Sequence, residues 1–104
     1  MSSILEIKEG IRRQTSDETL VYSVTTTNWA STPVVGTVTV YDESDNDTDV
    51  TSTVMPSGSH SNSGDVITLK PLTALTIDHS YRVEVQFTVG SSTYEFYFRV
   101  KCIK

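Results

Sequence analysis

The last third of the chain constrains the fold most. Tyr81, Val83, Val85, Phe87 and Val89 alternate with Arg82, Glu84, Gln86 and Thr88, and a second run alternates Tyr94, Phe96, Phe98 and Val100 with Glu95, Tyr97, Arg99 and Lys101. A period of two sustained this long marks strands with one buried and one solvated face, so the two runs read as an antiparallel hairpin. Successive side chains point to opposite faces, so both apolar sets reach one core only if odd positions on the first strand oppose even positions on the second. Two registers satisfy that condition. A two-residue Gly90-Ser91 turn of type II′ sets Arg82 opposite Arg99, whereas a four-residue loop from Gly90 to Thr93 sets Glu84 opposite Arg99 and Arg82 opposite Lys101. Each contains one like-charge pair worth at most about 1 kcal/mol, so charge leaves both open. In either register Tyr97 points away from the core among charged neighbours, and Tyr97, Arg99, Arg82 and Glu84 form a candidate contact surface. The competing reading of Tyr97 is a lone surface aromatic lying on neighbouring side-chain stems.

Ahead of the hairpin, the stretch Leu69-Lys-Pro-Leu-Thr-Ala-Leu-Thr-Ile-Asp-His-Ser-Tyr81 places leucines before a Tyr at the head of a strand. This turn resembles the tyrosine corner of immunoglobulin and fibronectin type III domains, where the phenol bonds backbone a few residues upstream. Tyr81, Leu72, Leu75 and Ile77 are then the corner and its packing. Tyr22, Phe87, Phe96 and Phe98 supply the aromatic core, with Trp29 there or at its rim. The other predicted strands are residues 19–27, with Leu20, Tyr22 and Val24 on one face; residues 34–41, where Gly36 marks a candidate bulge; residues 49–55; and residues 65–69. A polar Gly/Ser loop, residues 56–64, separates the last two. Residues 1–10, with Ile4, Leu5 and Ile7, read as a first strand or as an arm that orders on assembly, with a helix as the alternative. Short strand spacing and the lack of a helical period predict an all-β fold: one immunoglobulin/fibronectin III-like β-sandwich of about seven antiparallel strands spanning residues 1–104.

Composition narrows function mainly by exclusion. Thirteen acidic against eight basic side chains give a net charge of −5, the wrong sign for a phosphate backbone, so nucleic acid is not an expected partner. Cys102 is the only cysteine, so no intrachain disulfide can form. The position two residues after Tyr81, a cysteine in antibody domains, is Val83, which suits a reducing compartment. The first residues lack a basic start followed by an apolar stretch, and no run nears the ~20 apolar residues of a membrane span, so neither a signal peptide nor a membrane partner is expected.

Few residues suggest chemistry. Asp45, Asp47 and Asp49, in the acidic run from Asp42 to Asp49, are the candidate calcium ligands, since alternating acids can offer oxygens to that ion. The run lacks the Gly that bends a calcium loop and the bidentate acid that closes it, and a solvated turn explains it equally. His60 and His79 fall in polar turns. Ser57 or Ser59, His60 and Asp65 assemble a triad on paper only, without a nucleophile elbow. No His lies near Cys102 in sequence to activate it, and no glycine loop or Cys/His spacing calls for a cofactor or metal. The chain therefore reads as a non-enzyme with no cofactor.

The runs Leu20-Val-Tyr-Ser-Val-Thr-Thr-Thr-Asn-Trp29, Asp49-Val-Thr-Ser-Thr-Val-Met-Pro-Ser-Gly-Ser59 and Gly64-Asp-Val-Ile-Thr-Leu69, with the Tyr81-Arg-Val-Glu-Val ending, are similar to small uncharacterised phage and prophage structural proteins. The similarity lies in fold-type patterns over most of the chain and carries no catalytic residue. It implies a virion component of tail, neck or head, assembled in the cytoplasm and acting by contact with other virion proteins or with copies of itself. The alternative is a binding module that recognises glycan or a cell surface through the loops at residues 30–33, 42–49 and 56–64; of the stacking aromatics such loops use, only Trp29 and Tyr41 lie near.

Overall fold

The computed structural model describes residues 4–6, 12–26 and 32–104, the first three as backbone. The predicted core or rim residue Trp29 lies outside them, as does most of the predicted N-terminal arm. Nine strand segments form among the described residues: β1 (Ile4–Glu6), β2 (Arg12–Gln14), β3 (Ser23–Thr25), β4 (Val34–Asp42), β5 (Thr48–Asp49), β6 (Ser61–Ser63), β7 (Val66–Thr68), β8 (Ser80–Val89) and β9 (Ser92–Cys102). One helical turn, α1 (Thr51–Val54), interrupts them. The strands make two sheets. The larger runs β1-β9-β8-β4-β5 with β2 also on β9, and the smaller runs β3-β7-β6.

The β8–β9 hairpin is the backbone of the larger sheet. Its register runs from Val89↔Ser92 to Ser80↔Lys101, so the turn is the two-residue Gly90-Ser91 and Arg82 faces Arg99. Gly90 has φ +59° and Ser91 is not among the positive-φ residues, the sign pattern a type II′ turn requires. Along β8 the odd residues from Tyr81 to Phe87 are buried, and along β9 so are Phe96, Phe98, Val100 and Cys102. Each large side chain so buried contributes about 1.5–3 kcal/mol. On the other side of β8, the β4 register slips between Val35↔Phe87 and Val38↔Val85, so Gly36 and Thr37 together oppose Gln86. Gly36 belongs at this bulge because a Cβ there would lie 3.1 Å from the Gln86 carbonyl oxygen.

Three expectations need correction. First, the sheet is not wholly antiparallel: β1 pairs with β9 through Leu5↔Phe96 and β2 through Arg13↔Lys101, both parallel. The N-terminal segments run along the second edge of β9, which would otherwise expose a row of unpaired amides. Second, the predicted strand over 49–55 is β5 followed by α1. Asp49 Oδ1 accepts hydrogen bonds from the Thr51 N–H at 3.0 Å and the Thr51 hydroxyl at 2.7 Å, and this local turn diverts the β-branched run into a helical turn that buries Val54 and Met55. Third, the predicted loop over 56–64 contains β6, whose Ser-Asn-Ser sequence is polar because all three residues are exposed; it exists as the hairpin partner of β7 across Gly64, φ +57°.

Both sheets feed one core, in which Ile67 and Leu69 from the smaller sheet side join Val38, Val40, Val83, Val85, Phe96 and Val100. The half-buried Tyr22 ring lies 5.5 Å from Phe98. Tyr81 is 2% exposed, and its hydroxyl oxygen accepts the Thr76 N–H at 2.7 Å, five residues upstream. Leu72 and Leu75 are buried beside it, but Ile77 is 53% exposed; placed just before the turn that donates Asp78 N–H to the Cys102 carbonyl, it faces solvent and does not pack the corner. Gln14, fully buried in β2, ties that strand to the segments around Glu18, Tyr22 and Leu72. Its amide nitrogen donates to the Leu72 carbonyl at 2.7 Å and the Glu18 carbonyl at 3.0 Å, and its carbonyl oxygen accepts the Tyr22 hydroxyl at 2.9 Å.

Candidate functional site

The hairpin alternation that buries one face of β8 and β9 exposes the other, and β4 extends it. Across this outer face Thr39 pairs with Glu84, Tyr41 with Arg82, and Glu84 and Arg82 in turn with Tyr97 and Arg99. All four sequence-predicted contact residues therefore stand together. The register brings two guanidiniums side by side, and Glu43 reconciles them: its Oε2 accepts from Arg82 Nη1 at 2.9 Å and its Oε1 from Arg99 Nε at 3.0 Å. Arg82 Nε also donates to Glu84 at 2.8 Å, and Asp47 lies 3.5 Å from its Nη1. Burial pulls the Arg82 pKa down, but the hydrogen bonds to Glu84 and Glu43 and the Asp47 charge outweigh it and raise the pKa further above its usual range. Each guanidinium also lies over a ring, Arg82 4.9 Å from the Tyr41 centroid and Arg99 5.2 Å from that of Tyr97. The face is thus a rigid array of two arginine-capped tyrosines.

The sequence does not single out Glu43, and it marks Tyr41 only as an aromatic near the loops, not as part of this face. Tyr41 had a usable signal, because Val38 and Val40 alternate inward and leave residue 41 outside. Glu43 had none, since its role depends on a strand pairing distant in sequence. At the bulged end of the same face, Thr37, Thr39, Glu84, Gln86 and Glu95 line a shallow depression of about 160 Å³.

The three candidate calcium ligands do not converge. Asp45 is exposed in its turn, Asp47 faces Arg82, and Asp49 holds Thr51, whose two hydrogen bonds lower the carboxyl's pKa. Among the described residues no three His, Cys, Asp or Glu side chains gather as a metal site would require. The paper triad also comes apart: His60 Nδ1 accepts the Lys70 N–H at 3.0 Å, and Asp65 Oδ1 accepts the Thr32 N–H at 2.9 Å. Burial and the nearby Lys70 charge push the His60 pKa below its usual value. Cys102 is fully buried.

His79, predicted as a plain turn residue, instead sits with Nδ1 2.7 Å from Oδ2 of Asp42, a carboxylate only 5% exposed. The other Asp42 oxygen accepts the Ser44 N–H at 3.0 Å, and Ser44 Oγ accepts the Ser80 N–H at 3.0 Å. The pair ties the end of β4 to the turn before β8. Its signal in the sequence was the inward alternation Val38, Val40, Asp42, which places a carboxylate on the core side where it needs a partner. The ring has the orientation of an imidazole held by a carboxylate, and among the described residues Asp42 is its only hydrogen-bond partner.

No family model, curated protein or solved structure matches the chain.

Proposed function

We infer that the chain is an immunoglobulin-like module that works without catalysis, as a structural or accessory component of a phage or prophage virion, binding its neighbours through the outer face of β4, β8 and β9. The observation that carries the contact reading is the Glu43 bridge, which fixes Arg82 over Tyr41 and Arg99 beside Tyr97 on an open sheet face. Tyrosine and arginine presented rigidly lose little side-chain entropy on docking, which is why they dominate the energetic centres of protein interfaces. The immunoglobulin-like layout is supported by the strand orders: β3-β7-β6 corresponds to B-E-D, and β9-β8-β4-β5 to the G-F-C-C′ side of a variable-type sandwich. The Tyr81 hydroxyl on the Thr76 amide stands where a tyrosine corner would place it. Assignment to a virion rests on the resemblance read from the sequence patterns alone.

The test is quantitative mass spectrometry of gradient-purified particles from a producing culture. A fixed copy number relative to other particle proteins is the expected result, and absence from the particles overturns the assignment.

A further inference from the structure

The bulge sets Gly36 and Thr37 of β4 against Gln86 alone, and the sheet face carries a shallow hollow beside Gln86. The hollow is lined by polar side chains, the hydroxyls of Thr37 and Thr39, the amide of Gln86 and the carboxylates of Glu84 and Glu95. The cations of this face are engaged or remote from the hollow: Arg82 is held by Glu43 and Glu84, Arg99 by Glu43, and Lys101 reaches the Asp78 carbonyl at the far sheet end, where Arg13 of β2 lies beside it. Glu95, half-buried, has no hydrogen-bond or ion-pair partner among the described residues.

We propose that this hollow is the socket for a lysine or arginine side chain of the partner protein, with Glu95 as its counter-charge and Gln86, Thr37 and Thr39 as neutral acceptors. The proposal rests on the reading of this face as a contact surface and names the chemistry it selects. A basic side chain is favoured over a neutral sugar because it pairs Glu95, the carboxylate lining the hollow that has no partner among the described residues, and charge pairing at an interface chiefly sets specificity and encounter rate. Within this face, the tyrosine–arginine array supplies contact area and the hollow selects the sign of charge.

The test titrates the ¹⁵N-labelled protein with an acetylated, amidated tetralysine peptide and follows amide shifts. The expected result is saturable shifts at Thr37, Gln86 and Glu95, with affinity falling about tenfold in Glu95→Gln and less than about twofold in Asp17→Asn, an equal charge change on an exposed turn elsewhere. Equal losses in the two variants, or shifts spread over all acidic surfaces, would mean non-specific attraction and overturn the socket. Shifts at the same residues from cellotetraose but not from the peptide would overturn it in favour of a glycan. The result is independent of the particle measurement: Glu95-dependent peptide binding by a protein absent from particles keeps the socket and discards the virion role, and the reverse outcome does the opposite.

Discussion

Arg82 and Arg99 face each other across the β8–β9 hairpin, two cations on directly paired positions, and the carboxylate of Glu43 spans the gap with one oxygen on each. Like charges placed directly opposite destabilise a sheet, so the hairpin depends on a residue from beyond the end of β4 for its electrostatic balance. Removing that carboxylate by Glu43→Ala is expected to cost about 1 kcal/mol in urea unfolding, and less at high salt, where the exposed repulsion is screened. The double variant Glu43→Ala/Arg99→Gln should recover part of the loss. Simple additivity of the two single variants would show that the bridge is not the coupling element.

Gln14 gives the sharpest stability test. Gln14→Leu keeps the volume but leaves the Tyr22 hydroxyl and the Glu18 carbonyl without the partner each now has, while the Leu72 carbonyl keeps only the Leu20 amide. A loss on the order of 1–2 kcal/mol follows from leaving these partly buried polar groups without partners. Adding Tyr22→Phe should return part of it, because the phenol then no longer lacks an acceptor. A Gln14→Leu midpoint equal to the parent's would remove the clamp from the account of the core.

Tyr81→Phe deletes the acceptor of the Thr76 amide while leaving the buried ring in place. The expected change is a destabilisation of about 1 kcal/mol by thermal or urea unfolding. Faster exchange of the Thr76 amide should accompany it, and an unchanged exchange rate would show that the bond contributes nothing in solution.

The pH dependence near neutrality belongs in part to His60. Its folded pKa lies below the ordinary value of 6.5, through burial and then Lys70, and its Nδ1 must stay unprotonated to accept the Lys70 amide. The unfolded chain therefore takes up the proton first as pH falls. The stability this group contributes is complete above about pH 6.5 and is lost below it, down to the lowered folded pKa. His60→Gln, which offers an acceptor but does not titrate, should flatten the slope of unfolding free energy between about pH 5 and 7 relative to the parent. Parallel slopes would place the titration elsewhere.

How much of this was legible in the sequence follows from the range of the forces involved. Alternation along residues 81–89 and 94–100 determined the hairpin, its buried face and the grouping of Arg82, Glu84, Tyr97 and Arg99 outside, because the direction of a side chain in a strand depends only on its parity. Gly36 as a bulge was legible for a similarly local reason. The strand expected over 49–55 failed because Thr51 and Val54 favour strands on average, and the hydrogen bonds that Thr51 donates to the Asp49 carboxylate settled the competition locally.

Tertiary structure alone decided the rest. Local charge left two hairpin registers equal, and the one adopted sets arginine against arginine, with Glu43, from just beyond the end of β4, bridging the two. The same holds for the parallel seating of β1 and β2 on β9, for the Asp42–His79 pair and for the closure of Gln14 onto Leu72, 58 positions away. Local periodicity fixes which face a residue shows. Which distant residue meets it there is set only when the whole chain satisfies its edges, buried polar groups and charges at once.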